Sequence, residues 1–462
     1  MHFRLFAEEV YTQRRKSLME SMQSGILLFL GNEEVGMNYA DNTYPFRQDS
    51  TFLYYFGIDI PGLAAIIDAD AQQTILFGDD ISLDGVIWTG PLPTMAYMAD
   101  QVGISKTASI SELAGYLSNK KNIQYLPPYR AVNQIKLSSL LNQPLGKIKE
   151  NFSLKLIKAV IGQRSFKSAL ELTEMEAACD ISADMHLAAM QYAKPGMKEY
   201  EVAAQVRKVA YEQGGALAYP IILTVNGETL HNHYHGNTLA PGHLLLIDAG
   251  AENDLHYAGD LTRTFPVSSK YSEQQKDIYN LVIKMMDNAI DALKPGITYK
   301  EVHGIAAKTL IGGMLDLGIL KGNAEEAFQN DVHTLFFQHG LGHMIGLDVH
   351  DMEDLGELHV GYEEGTQKSK AFGWKSLRLA RTLQTGMTFT VEPGIYFIPT
   401  LIDRWYNERK LEQFINYEEL LKYKNFSGVR VEDNYVITDT GARKLGKYLP
   451  KYLSEIEAIR ES

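Results

Sequence analysis

Gly242-His243-Leu244-Leu245-Leu246-Ile247-Asp248-Ala249-Gly250 and Gly386-Met387-Thr388-Phe389-Thr390-Val391-Glu392-Pro393-Gly394 repeat one pattern 144 positions apart (386 − 242). In each, a glycine opens the run, hydrophobic residues fill most of it, and a carboxylate follows six residues after that glycine (248 − 242 and 392 − 386). A short apolar run of this kind reads as a buried strand that delivers an acid to its end. Two copies predict a pseudo-twofold site where carboxylates from both halves meet. Packed carboxylates coexist by sharing protons or by binding metal ions.

Each acid has a second acid downstream. After Asp248 the chain makes a short excursion through Glu252-Asn253-Asp254 and returns as Tyr257 to Phe265, placing Asp260 12 residues on (260 − 248). A hairpin of that length sets the two side by side. In the second half Glu392 is followed by Gly428 to Ile437, which carries Glu432 at a separation of 40 (432 − 392), so roughly 28 extra residues lie between the paired strands, a length more often functional than idle. One acid at a strand end is ordinarily a solvated or turn-capping carboxylate. Four in a repeated frame are a different matter, because burying like charges costs several kcal/mol each without divalent cations.

Between the halves lies Phe337-Gln338-His339-Gly340-Leu341-Gly342-His343-Met344-Ile345-Gly346-Leu347-Asp348-Val349-His350-Asp351. Its histidines and glycines describe a buried backbone able to approach something closely. A lone buried histidine is usually a satisfied core residue, but one imidazole beside four carboxylates makes a sensible metal ligand. Such an oxygen-dominated set suits Mn²⁺, with Zn²⁺, Co²⁺ or Fe²⁺ as alternatives. His231-Asn232-His233-Tyr234-His235 mimics a metal cluster if extended. For His233 and His235 the plainer reading is a polar segment near a turn at Gly236-Asn237, and His256 is read the same way.

A second repeat is independent of the first. Thr173 with Glu176, and Ser272 with Gln275, make capping-box patterns before helical stretches that end at Lys194-Pro195-Gly196 and Lys294-Pro295-Gly296. Glu201-Val202 recurs as Glu301-Val302 at the same offset of 100 as the two Lys-Pro-Gly turns (294 − 194). Duplicated helical units around a shared sheet follow, giving a second domain over 161–462. Residues 1–160 read as a separate α/β domain: a helix over Met1–Met22, a buried strand over Gly25–Leu30, and a strand pair, Leu63–Asp68 with Gln73–Phe77. The boundary is placed between Lys155 and Leu172.

Bulk properties remove whole classes of function. The chain of 462 residues carries 44 basic and 57 acidic side chains, a net charge of −13, and has no basic stretch interleaved with aromatics, so nucleic acid is not an expected partner. Cys179 is the single cysteine, which precludes an internal disulfide and points to a reducing compartment, simply the cytoplasm. No apolar run approaches the roughly 20 residues of a membrane span, and the charged N-terminal segment reads as neither signal peptide nor anchor.

These residues resemble the metallopeptidases of the creatinase and methionine aminopeptidase type, which have the pita-bread fold. The segment His339–Asp351 matches the signature of the proline-specific members, and Phe46-Arg47-Gln48-Asp49-Ser50-Thr51-Phe52-Leu53-Tyr54-Tyr55-Phe56-Gly57 looks like the hallmark of their N-terminal domain. Methionine aminopeptidases lack that domain. The resemblance implies an α/β (α+β) protein, a creatinase-like N-terminal domain followed by a pita-bread domain with internal pseudo-twofold symmetry. It further implies two divalent metal ions held by Asp248, Asp260, His343, Glu392 and Glu432. Asp260 and Glu432 would bridge them, with Asp248 completing one site and His343 with Glu392 the other.

Within that group, Ser376-Leu377-Arg378-Leu379-Ala380-Arg381 and Gly394-Ile395-Tyr396-Phe397-Ile398 look like prolidases, the Xaa-Pro dipeptidases. The strand Gly259–Pro266 is also typical of aminopeptidase P, which releases the first residue from longer Xaa-Pro peptides. Extra residues around Glu357 to Thr366 depart from the prolidase pattern. The implied catalytic residues are Glu392 for proton transfer, and His231, His339 and His350 for orienting substrate and stabilising an oxyanion. Arg378 would bind the substrate's C-terminal carboxylate, with Arg430 supporting a bridging acid. A bond to proline has no N–H to grip, and a two-metal site bypasses that loss by holding a hydroxide at neutral pH while polarising the carbonyl. The expected protein is thus a cytoplasmic, homodimeric, Mn²⁺-dependent hydrolase of Xaa-Pro dipeptides. Aminopeptidase P is the alternative, and a metal-free pita-bread binding module a remote one.

Overall fold

Residues 4–461 are described in the computed structural model, and they divide into two compact units. One comprises the chain up to Arg164 together with Met352–His359; the other comprises Ser165–Asp351 and Val360 onward.

The first unit is built on a five-stranded mixed sheet with strands β1 (Ile26–Leu30), β2 (Ala64–Asp68), β3 (Gln73–Phe77), β4 (Thr107–Ala108) and β5 (Ile123–Tyr125) in the order β4-β3-β2-β1-β5. The antiparallel pair β2 and β3 is joined across residues 69–72. The helix expected over Met1–Met22 begins at Glu8, and its first three positions lie outside the described residues. It turns two of its arginines inward. Arg15 donates from Nη1 to the Tyr55 carbonyl at 2.8 Å and from Nη2 to that of Val102 at 2.6 Å, so the charges that broke its apolar pattern are hydrogen-bonded inside the unit. The Phe46–Gly57 stretch holds a short helix, Ser50–Phe56, capped by Asp49, which accepts from Phe52 N at 2.8 Å, and closed by Gly57 at φ 67°.

The second unit shows the duplication directly. Strands β6 (Ala216–Leu217) and β9 (Ala251–Glu252) form a small pair, and β7 (Ile222–Thr224), β8 (Leu244–Ala249) and β10 (Leu261–Pro266) form an antiparallel sheet in the order β10-β8-β7. In the other half, β11 (Thr388–Val391), β14 (Asp433–Ile437) and β15 (Ala442–Lys444) form a sheet in the order β11-β14-β15, with β12 (Gly394–Phe397) pairing β13 (Ser427–Arg430) beside it. Leu244 to Ile247 are buried on both faces, and each such side chain contributes about 1.5–3 kcal/mol of transfer free energy. The helices Ala169–Tyr192 and Glu199–Glu212 recur as Glu273–Ala292 and Tyr299–Asp316.

Both repeat offsets meet in the hydrogen bonding. Gly196 N donates to Leu239 O at 2.8 Å and Gly296 N to Leu383 O at 2.9 Å, so a step of 100 on the helical side (296 − 196) is matched by 144 on the strand side (383 − 239). The bridges Lys198 to Thr238 and Thr298 to Thr382 keep the same pair of offsets. Gly242 and Gly386 open their strands at φ 88° and 89°, a left-handed backbone that favours glycine.

One helix cap differs from the sequence reading. The helix before Lys194-Pro195-Gly196 is capped by Ser168 with Glu171, not Thr173 with Glu176; Thr173 lies inside it, its hydroxyl donating to Ala169 O at 3.0 Å. Ser168 and Thr173 both open a Ser/Thr-x-x-Glu pattern, and the upstream one wins because nothing between them stops the helix from propagating. That helix therefore has 24 residues against 20 in its repeat, a difference of about one turn. The cap at Ser272 with Gln275 forms as read.

Two histidines of this unit, His303 and His333, are buried away from the acids of the strand ends. His303 and His333 are 2% and 1% exposed, and neither Nδ1 has a hydrogen-bond partner among the described residues. Burial pushes them down to about 3 and about 4. The unfolded chain takes up these protons below about pH 6.5 while the folded chain does not, so the stability is complete above 6.5 and declines as the pH falls toward 4. Urea unfolding should show a loss on the order of 2 kcal/mol per imidazole between pH 7 and pH 5. His303→Phe should reduce that slope; an unchanged slope would contradict the assignment.

Candidate active site

The strand pairing sets the acids in place. In the β8–β10 ladder Asp248 lies opposite Thr262, which puts Asp260 at the mouth of the hairpin. Glu432 falls between β13 and β14, where its backbone bridges Thr262: Glu432 N donates to Thr262 O at 3.0 Å. The glycine-rich segment is irregular chain laid along β11. Thr390 N donates to His343 O at 3.0 Å and Glu392 N to Leu341 O at 2.8 Å, so His343 and Glu392 arrive together. Gly342 is required there, since a Cβ would lie 2.0 Å from Thr390 O.

All ten sequence candidates, Asp248, Asp260, His343, Glu392, Glu432, His231, His339, His350, Arg378 and Arg430, line one cavity of about 310 Å³. Asp260, His343 and Glu432 each bring one ligand-type atom within 4.8 Å of the others. His343 Nε2 is 3.4 Å from Asp260 Oδ2 and 3.7 Å from Glu392 Oε1, while its Nδ1 rests 3.0 Å from Met344 O. The His350 ring lies 4.0 Å from that of His343. His233, read from sequence as part of a polar segment near a turn, also lines this cavity, on irregular exposed chain. His235 instead contacts Ile221 O at 3.1 Å, and His256 faces Glu252 at 2.9 Å.

The electrostatics are those of crowded, buried acids. Burial, then the Asp260 and Asp248 charges, push Glu392 up to about 8, against the pull of Arg430. Burial and the neighbouring acids push Glu432 well above the usual carboxylate range, and burial raises Asp260. Arg430 relieves Asp248, donating from Nη2 to its Oδ2 at 2.6 Å. Glu432 Oε2 accepts from the Thr262 hydroxyl at 2.7 Å, whereas Glu432 Oε1 is buried with no hydrogen-bond partner among the described residues. An orphaned carboxylate oxygen amid raised acids and one imidazole fits a divalent cation, which would satisfy that oxygen and restore ionisation.

Five supporting residues escaped the sequence reading. Tyr219 places its hydroxyl 2.7 Å from Asp248 Oδ1 and 2.5 Å from Asp260 Oδ1, linking acids from two strands. Tyr396 accepts from Arg430 Nη1 at 2.9 Å and lies 2.8 Å from His339 Nε2. His339 Nδ1 contacts Gly340 O at 2.8 Å, so the ring sits as the Nδ1–H tautomer with Nε2 accepting from Tyr396. Asn434 clamps Asp260, its Oδ1 accepting from Asp260 N at 2.9 Å and its Nδ2 donating to Asp260 O at 2.6 Å. Thr262 alone carried a signal: with Asp260 and Thr264 it shares one face of a strand of period two. On the opposite face fully buried Arg263 braces the same corner, pairing with Asp433 at 3.0 Å and donating to Glu432 O at 2.8 Å.

Comparison with known proteins places these residues in context. The family described as Metallopeptidase family M24 matches residues 173–439, and that described as Aminopeptidase P, N-terminal domain, matches residues 11–124. The chain is 32% identical to a human Xaa-Pro dipeptidase over 450 residues, covering 95% of this chain and 89% of the relative. It is 30% identical to an Escherichia coli Xaa-Pro aminopeptidase over 472 residues, covering 98% of each. Among solved structures, proline aminopeptidase P II from Yersinia pestis superposes with a TM-score of 0.82 at 28% identity over 99% of this chain and 100% of that one. A zinc-substituted E. coli aminopeptidase P in complex with product gives 0.81 at 29%, covering 99% of each.

The loop that bears His343 and His350 is anchored from below by a buried ion pair, Lys167 Nζ to Asp351 Oδ2 at 2.8 Å, with both side chains 2% exposed or less. Lys167→Met removes the ammonium and leaves the carboxylate buried, which should cost about 3–5 kcal/mol in urea unfolding. A loss below about 1 kcal/mol, the range of an exposed pair, would contradict an anchoring role.

Proposed function

The chain belongs to metallopeptidase family M24, and on that premise we propose that it hydrolyses the Xaa-Pro bond of dipeptides with two divalent cations bound in this cavity, Mn²⁺ foremost. Asp248, Asp260, His343, Glu392 and Glu432 would hold the cations, with Asp260 and Glu432 shared between the two, Asp248 serving one and His343 with Glu392 the other. When bound, the cations polarise the scissile carbonyl and lower the pKa of the attacking water. Everything else falls to the chain's own side chains.

The Glu392 carboxylate takes the proton from the attacking water and delivers it to the prolyl nitrogen, which must be protonated to leave as an amine. His231 and His350 face the substrate and donate to the developing oxyanion. His339 shares that wall and couples through Tyr396 to Arg430, which holds Asp248 in place. The Arg378 guanidinium pairs with the C-terminal carboxylate of the dipeptide, a contact suited to its planar fork. The observation that carries this reading is the gathering of acids, imidazoles and Arg378 around one cavity, whose volume is near the lower end for small-ligand sites. Cytoplasmic residence and a homodimer complete the proposal. The lone cysteine, buried and hydrogen-bonded to Asn434, supports a reducing compartment, and no helix among the described residues is long and apolar enough to cross a membrane.

A second reading, aminopeptidase P, is favoured by the end-to-end similarity to the E. coli Xaa-Pro aminopeptidase. The two separate in one assay of the Mn²⁺-loaded protein on Ala-Pro and on Ala-Pro-Gly. Dipeptidase activity predicts a kcat/KM for Ala-Pro at least about tenfold higher, the discrimination expected when one charge contact is present in only one register. Faster cleavage of the tripeptide would establish the second reading instead, and no cleavage of either would leave a binding module.

A further inference from the structure

Arg378 sits on a segment with little regular structure. Gly373 at φ 80° leads into a single 3₁₀ turn, Trp374–Ser376, then Leu377 and Arg378. A guanidinium that reads one carboxylate among several register choices needs its backbone fixed, and a short turn does not fix itself.

Trp374, four residues before Arg378, is tied down on several sides. Its indole Nε1 donates to Asp331 Oδ1 at 2.6 Å. Its ring meets His303 at 5.1 Å and His333 at 5.5 Å, both edge-on, and Phe328 at 6.3 Å. Those partners belong to a helix pair and a 3₁₀ turn remote in sequence from the 373–378 segment. Both imidazoles are buried and neutral, so the indole packs against aromatic surface. The clamp is transmitted toward the site. Leu377 is buried with Tyr362, whose hydroxyl donates to Leu377 O at 2.6 Å, and Trp374 packs on that cluster. The segment also presses on the residue after His339: a Cβ on Gly340 would lie 2.9 Å from Leu377 Cα and 3.1 Å from Ser376 O. Ser376 and Arg378 line the cavity; Trp374 does not.

We infer that Trp374 is a positioning residue for specificity: anchored on Asp331 and the surrounding rings, it holds Ser376 and Arg378 at the cavity wall and thereby sets the affinity for a free C-terminal carboxylate. The inference rests on the carboxylate role proposed above for Arg378.

Steady-state kinetics of Trp374→Ala, Trp374→Phe and Arg378→Ala on Ala-Pro and on its C-terminal amide test it, with hydrogen exchange of the amides over residues 373–379. Trp374→Ala should raise KM for Ala-Pro about tenfold or more while kcat changes less than about twofold, since misplacing a positioning group by about 1 Å can cost up to about 100-fold. KM for the amide should stay within about twofold, and exchange over 373–379 should accelerate. Trp374→Phe, which keeps one aromatic ring but loses the N–H and part of the packed area, should shift KM in the same direction by less; if the alanine variant does not fold, the phenylalanine variant decides. Equal KM shifts for acid and amide, or none, would overturn the inference. If Arg378→Ala separates acid from amide and the Trp374 variants do not, only Trp374 loses its role. If Arg378→Ala separates neither, the carboxylate reading fails and takes this inference with it.

Discussion

Four carboxylates from two halves of one unit line a single cavity, three of them buried, and most of the surrounding structure answers that repulsion. Two unit charges about 4 Å apart repel by about 4 kcal/mol at an effective dielectric near 20, so leaving Asp248, Asp260, Glu392 and Glu432 all ionised is not sustainable without positive charge. Arg430 supplies part of it, held by Thr262, Tyr396 and Asp248 at once. The remaining acids stay raised, Glu392 to about 8, and Glu432 keeps an unpartnered oxygen. A bound divalent cation would satisfy that oxygen and offset the remaining repulsion.

The scaffold keeps these charges close by duplication. Each half contributes a glycine-opened strand ending in an acid, a partner strand that brings the second acid, and a helix pair whose Lys-Pro-Gly turn bonds back to the strand approach. Residues from the two halves then interlock across the middle: Thr262 of one bonds Glu432 of the other, and Asn434 grips Asp260. The two halves differ in the connections between their strands. Helices Pro399–Asn407 and Tyr417–Leu421 occupy the long connection of the second half, and the 3₁₀ turn Trp374–Ser376 before Arg378 is not matched by a 3₁₀ turn between β7 and β8.

Much of this was legible in the chain, for identifiable reasons. The acids announced themselves because strand periodicity and a glycine fix where each side chain ends up, and the histidine segment because glycines at 340, 342 and 346 declare close backbone approach. The strand pair β2 and β3 and the cap at Ser272 followed from local rules. Residues acting through long-range contacts were silent. Tyr219 joins acids 29 and 41 positions away, and Asn434 serves a residue 174 positions earlier, so no window of sequence contains both partners. The cap at Thr173 was misplaced because Ser168 with Glu171, one turn upstream, satisfies the same pattern and the helix propagates through Thr173. His233 was passed over because an exposed histidine on irregular chain carries no period that reveals which cavity it borders.

The most direct test of the central claim is the number of Mn²⁺ ions bound per chain at equilibrium, measured by dialysis of the chelator-stripped protein against the metal at near-neutral pH. Crowded acids arranged for cations predict about two ions per chain for the native sequence, and fewer for Glu432→Gln, which keeps the shape and removes a charge and a donor oxygen. A native chain that binds no ion, or a Glu432→Gln variant that binds as the native one does, would contradict it.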